Sequence, residues 1–167
     1  IWMHLGPSFH SRMNRETREP DFSYAINMLH IVDALVPAMD GRRVLVIGGA
    51  GHGLAHAMEY RGAVVTEVEI DPVVIELSDR YFGRIQGEVV LQDGRVYIEQ
   101  AAPESFDLVL VDVFDGAANV PPQFVTREFY QAVQRSLKAD GLLAINFIGT
   151  PEGKRSRSFQ AVSTTLH

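Results

Sequence analysis

The chain has 167 residues, of which 46% are hydrophobic and 22% charged, an ordinary globular composition with room for one domain and its own core. Its net charge of -6 argues against a surface that tracks phosphates, so no nucleic-acid partner is expected, and the absence of cysteine excludes disulfides and thiolate chemistry. No apolar run approaches the roughly 18 residues that suggest a membrane span and no signal-like segment opens the sequence, so a cytoplasmic location without membrane contact is expected.

Residues 1–20 read as an N-terminal hairpin or arm, with Trp2, Leu5 and Phe9 as anchors and a turn at Gly6-Pro7. His4 and His10 have no acidic or cysteine partner at metal-ligand spacing, so no metal is expected. The remainder, 21–167, reads as one nucleoside-binding domain. Its first helix is predicted over 22–36, with Phe22, Ile26, Leu29, Val32 and Val36 on the apolar face and Leu35 on its flank. Pro37 and Asp40-Gly41 end it.

A short β-branched run at 44–47 then reads as a strand buried on both faces. Gly48, Gly49, Gly51 and Gly53 follow at once, a helix is predicted over 54–60, and a second strand over 63–68 ends in Glu69. Strand, glycine turn, helix, strand and acid, with the acid about 20 residues after the turn, form the unit that binds the adenosine half of a ligand. Glycines let the backbone approach the ligand, and a carboxylate at the end of the second strand can accept hydrogen bonds from a ribose diol. Asp71 is the predicted N-cap, and Pro72 the first residue, of the next helix, 73–81. A strand at 89–91 leads to Gln92-Asp93-Gly94, and a nearly continuous apolar strand at 106–111 runs into Asp112-Val113-Phe114-Asp115-Gly116. Thr126 caps a helix with Phe129, Val133 and Leu137 on one face. The stretch 138–141 turns back into a last strand, 142–148, and a further helix begins in 159–166. Lys154, Arg155 and Arg157 lie among glycine and serine in a loop without interleaved aromatics. Strands alternating with helices predict an α/β fold, a doubly wound and mostly parallel Rossmann-like sheet.

Ligands of such sheets bind beyond the carboxyl ends of the strands. Glu69, Asp93, Asp112 and Asp115 all fall there. Asp93 and Asp115 each precede a turn glycine or lie beside one, whereas Asp112 directly follows a buried run and is the best catalytic candidate. Two close carboxylates raise one another's proton affinity, which suits one of them to act as a base.

Seven segments in order, FSYAINML (22–29), VLVIGGAGHG (44–53), VEIDPVVIELS (68–78), QDGRVYI (92–98), LVLVDVFDG (108–116), VPPQFVTREFY (120–130) and LKADGLLAIN (137–146), resemble the polyamine aminopropyltransferases, the spermidine synthase family. The resemblance implies a methyltransferase-type sheet and transfer of an aminopropyl group from decarboxylated S-adenosylmethionine, a donor substrate rather than a tightly bound cofactor, to a small cationic amine such as putrescine. It implies Glu69 on the ribose and Asp93 on the adenine amine, with Gly48, Gly49, Gly51, His52, Gly53 and Gly94 around the donor. Asp112 would be the general base, and Asp115 and Tyr24 would orient the amine. It further implies that the final strands of a full enzyme are missing from this sequence. A last strand at the sheet edge then predicts a homodimer or an additional covering segment.

Several positions depart from the family pattern. The usual GGGDGG loop is here Gly48-Gly49-Ala50-Gly51-His52-Gly53, so Gly51 takes the place of the acid that meets the aminopropyl amine, and His52 replaces a glycine. The family's N-terminal glutamine aligns with Arg15, the histidine after the tyrosine with Ala25, and the proline after the second acid of the loop with Gly116. Two alternatives therefore stand beside the aminopropyltransferase: an S-adenosylmethionine-dependent methyltransferase, and a non-catalytic nucleoside-binding homologue. A nicotinamide-dependent dehydrogenase is disfavoured, since no downstream tyrosine-lysine or histidine arrangement stands out.

Overall fold

A computed structural model of the chain describes residues 1–5, 8–16, 19–115, 120–147 and 156–166. Two antiparallel strands, β1 (Trp2–Leu5) and β2 (Ser8–Arg12), form the N-terminal hairpin. The predicted turn at Gly6-Pro7 and the side chains of Leu5, Phe9 and His10 lie outside the described residues. Trp2 is not the anchor expected of it. It is exposed, with the Arg12 guanidinium 4.6 Å above its ring, while Met3 and Met13 are the buried residues and pack on Val74 and Phe82.

The main sheet has five parallel strands: β3 (Arg43–Ile47), β4 (Val64–Glu69), β5 (Glu88–Leu91), β6 (Phe106–Val111) and β7 (Leu137–Ile145). Their order is β5-β4-β3-β6-β7, so the chain winds outward from β3 first to one side and then to the other. The Rossmann-like class expected of the alternating pattern is the fold observed. Helices α1 (Ser23–Leu35) and α2 (Gly53–Tyr60) cover one face through Met28, Leu29, Val32, Leu54 and Met58, which meet Val44, Val46, Leu108 and Leu110. Helices α4 (Gly94–Gln100) and α5 (Arg127–Ser136) cover the other, where Ile98, Phe129 and Val133 meet Leu45, Ile47, Val109 and Val111. Successive side chains of one strand thus feed two cores, which is why the central strands read as unbroken apolar runs. Helix α3 (Pro72–Tyr81) starts with Asp71 accepting from the Val73 amide at 2.8 Å, as the Asp-Pro pair predicted. Helix α6 (Ser156–Leu166) follows the last strand in sequence. No helix among the described residues is long and apolar enough to cross a membrane.

Three expectations are corrected by packing. The buried stripe of α1 is Ala25, Met28, Leu29 and Val32, with Ile26 and Leu35 turned outward, because apolar residues cover so wide an arc that periodicity alone does not choose the inner side. Helix α4 was missed; it is short, and Asp93 caps it by accepting from the Arg95 and Val96 amides at 2.7 and 3.2 Å. The last strand begins at Leu137 rather than after a turn, and Leu137 is not on the preceding helix. Phe106 pairs with Leu137 and Leu108 with Leu142, so the polar stretch 138–141 is accommodated as an irregularity inside the strand.

Candidate functional site

Strand order reverses between β3 and β6, and the crevice opens beyond their carboxyl ends, as expected at such a switch point. Gly48, the first residue after β3, has φ +92°, and a Cβ there would lie 2.3 Å from the Asp112 carbonyl oxygen. Only glycine allows these two strand ends to lie so close. The cavity beyond them measures about 490 Å³, enough for a nucleoside with an appended chain.

Asp112 lines this cavity. The Tyr24 hydroxyl donates to its Oδ2 at 2.9 Å, and Asn146 Nδ2 donates to its Oδ1 at 2.9 Å. Each carboxylate oxygen thus accepts one of these two donors. Burial, and then the charge and hydrogen bond of Asp112, push the Tyr24 phenol far above its usual range, so it remains a protonated donor. Tyr24 is held from α1, its ring 5.8 Å from that of Phe22. Asp115 is exposed and lines the same cavity.

Glu69, at the end of β4, lines the cavity and accepts three backbone hydrogen bonds. Gly49 N donates to Oε2 at 3.0 Å, and the amides of Ile70 and Asp71 donate to Oε1 at 2.8 and 3.0 Å. The same carboxylate therefore fixes the glycine loop and faces the ligand space. Asp93 and Gly94 also line it.

Apart from Gly48 and Ala50, the glycine loop does not line this space. Gly49 and Gly53 border only a smaller adjoining pocket. Gly51 has φ +75°, its amide bonds Ser78 Oγ at 2.9 Å, and a Cβ there would meet Ser11 Oγ at 2.4 Å. A side chain at 51 would point at the hairpin. His52, expected beside the donor, is instead buried, with Nδ1 2.5 Å from Glu67 Oε1 and Nε2 3.3 Å from Asp79 Oδ1. Burial works against its charged form, but the bonds and charges of Glu67 and Asp79 prevail and raise its proton affinity.

Sequence reasoning missed Asn146, because the last strand was extended to 148 and so placed this residue in its interior. The rule that singled out Asp112, a polar residue directly after a buried strand, finds it once the strand ends at Ile145. Asp71 and Gln123, and the apolar Ile70 and Phe124, also line the cavity.

This sheet and the switch-point cavity that Glu69 lines define a Rossmann-like protein of the S-adenosylmethionine-dependent methyltransferase type. Residues 21–151 match the family model described as spermine/spermidine synthase domain, and the chain belongs to that family. It is 34% identical over 115 residues to the polyamine aminopropyltransferase of Vibrio vulnificus, covering 65% of this chain and 38% of the relative. It is 31% identical over 130 residues to an N-terminal histidine N-methyltransferase of Emericella nidulans, covering 75% of this chain and 23% of the relative. Among solved structures, a probable spermidine synthase from Corynebacterium glutamicum superposes with a TM-score of 0.74 at 26% identity, covering 84% of this chain and 53% of that one. The chain spans half or less of the length of these curated relatives.

Proposed function

We propose that this cavity binds an adenosyl sulfonium and passes its aminopropyl group to a primary amine such as putrescine, as an aminopropyltransferase does. The observation that carries this reading is the charge of the cavity. Glu69, Asp71, Asp93, Asp112 and Asp115 line it, and no lysine, arginine or histidine does so among the described residues. Both substrates of the reaction, decarboxylated S-adenosylmethionine and a protonated amine, are cations without a carboxylate, and an acidic concave wall concentrates them. Glu69 faces the ribose and Asp93 the adenine, with the Asp93 oxygen that does not cap α4 left for the amine of the base.

Asp112 takes a proton from the acceptor ammonium. The freed nitrogen lone pair then attacks the methylene carbon next to sulfur, the carbon–sulfur bond breaks with its electrons going to sulfur, and neutral methylthioadenosine leaves. Tyr24 and Asn146 fix the carboxylate for that proton transfer, and Asp115 draws the far end of the amine to the mouth of the cavity. General-base help of this kind contributes about 10²–10⁴-fold, with alignment supplying the rest.

A second reading, methyl transfer from S-adenosylmethionine, is favoured by Gly51, which offers the donor no acid, and by the likeness to the histidine N-methyltransferase. Measuring methylthioadenosine release from the decarboxylated donor plus putrescine, and methyl transfer from S-adenosylmethionine, distinguishes the two. Release that falls at least a hundredfold in Asp112→Asn, while methylthioadenosine still binds, is the expected result. Undiminished release in that variant removes Asp112 from the role of base, and methyl transfer without release selects the second reading.

A further inference from the structure

A second, smaller cavity of about 20 Å³ lies beneath the glycine loop and shares Phe22, Tyr24, Gly48, Ala50 and Asp112 with the first. A space of roughly 10–15 Å³ already admits one water-sized group, so this one takes a single tetrahedral nitrogen and no more than that. Glu67 forms part of its wall. It is fully buried in the middle of β4, between Val65 and Val68 of the two cores. His52 occupies its Oε1, whereas Oε2 has no hydrogen-bond partner among the described residues. A buried carboxylate oxygen left without a donor is costly and calls for an explanation.

Its surroundings hold the carboxylate firmly in place. Asp79 lies 3.3 Å from the other ring nitrogen of His52, and Arg84 reaches Asp79 at 3.0 Å, so Glu67, His52, Asp79 and Arg84 form one chain of contacts, in which burial raises the proton affinity of Glu67 and the bond and charge of His52 oppose that. Gly49 lies directly over the carboxylate; a Cβ there would be 2.2 Å from Oε1. Arg12 also borders the small cavity, but its guanidinium is engaged by Asp21 at 2.8 Å. Gly51, where the resemblance places an anion, points at Ser11 and borders neither cavity.

We propose that the small cavity seats a primary ammonium at the end of an adenosyl ligand's alkyl chain, with Glu67 Oε2 as its anion. The inference rests on the adenosyl reading above and names the residue that selects the donor's tail. The charge that position 51 does not supply comes from Glu67 of the neighbouring strand, which borders the small cavity, and Asp112 adds a second carboxylate to its wall. A tail that also carries a carboxylate does not fit, because the space admits one group and two carboxylates border it.

The test uses calorimetry on the full chain with three thioethers of adenosine, all uncharged at sulfur, that differ only in its substituent: methyl, 3-aminopropyl, which is an ammonium at neutral pH, and 3-hydroxypropyl. Charge-assisted hydrogen bonds are roughly twice as strong as neutral ones, so the aminopropyl compound is expected to bind about tenfold or more tighter than the methyl compound, and the hydroxypropyl compound no better than the methyl one. In Glu67→Gln that advantage disappears while the methyl compound binds as before. Equal binding of the aminopropyl and hydroxypropyl compounds to the parent overturns the inference without any variant, so it stays testable even if Glu67→Gln does not fold. An advantage retained in full by Glu67→Gln overturns it as well. Failure of all three to bind removes the adenosyl reading itself, and the inference with it.

Discussion

Glu69→Gln probes two functions of one carboxylate. In the folded chain Glu69 accepts from the amides of Gly49, Ile70 and Asp71 at 2.8–3.0 Å. A glutamine keeps its carbonyl oxygen on the Ile70 and Asp71 amides and then presents its NH₂ to the Gly49 N–H, so two donors face each other. One charge-assisted bond is lost and two become neutral, which costs about 1.5–3 kcal/mol of stability. For a chain of this size each kcal/mol shifts Tm by about 2–4 °C, so a fall of roughly 3–12 °C is expected in a thermal melt. The ribose diol loses its charged acceptor as well, and affinity for methylthioadenosine should fall roughly ten- to a hundredfold by calorimetry at a temperature where the variant is folded. A lower Tm with unchanged affinity makes Glu69 a clamp for the loop and refutes its ligand role. An unchanged Tm refutes the reasoning from the backbone bonds.

Three further outcomes are expected. Tyr24→Phe keeps the ring stack on Phe22 but removes the donor to Asp112 Oδ2, so turnover should fall about tenfold or more while methylthioadenosine affinity is retained; equal rates in an initial-velocity assay refute a positioning role. Gly48→Ala forces a Cβ to within 2.3 Å of the Asp112 carbonyl at φ +92°, so a loss of more than about 1 kcal/mol is expected, and a denaturant midpoint equal to the parent's contradicts the close approach of β3 and β6. The raised proton affinity of His52, held by Glu67 and Asp79, contributes stability that is fully present below its ordinary value of 6.5 and is lost as pH rises through the higher folded value. Tm should therefore decline as the pH rises above 6.5, and in His52→Gln the share due to the histidine should be lost, leaving that of Glu67, whose proton affinity burial raises; an identical pH profile in that variant removes the histidine as its source.

Apart from the short helix α4, the order of helices and strands, the class of sheet and the place of the crevice were legible in the sequence. Nearly continuous apolar runs at β3 and β6 mean burial on both faces, the glycines after β3 mark where the backbone turns, and Glu69 and Asp112 stand at strand ends whatever the packing details. These are local signals, set by periodicity and by residues with special backbone freedom. The facing of individual side chains was not legible. His52 sits in the ligand loop by sequence yet turns into the core, because its buried partner Glu67 comes from another strand. Asn146 reaches Asp112 only because β7 pairs beside β6 with an irregular register. Glu67 reads as one polar residue in an apolar strand until Gly49, His52 and the small cavity are assembled around it. Such contacts join residues distant in the chain, and their geometry follows from strand order, which no local pattern encodes.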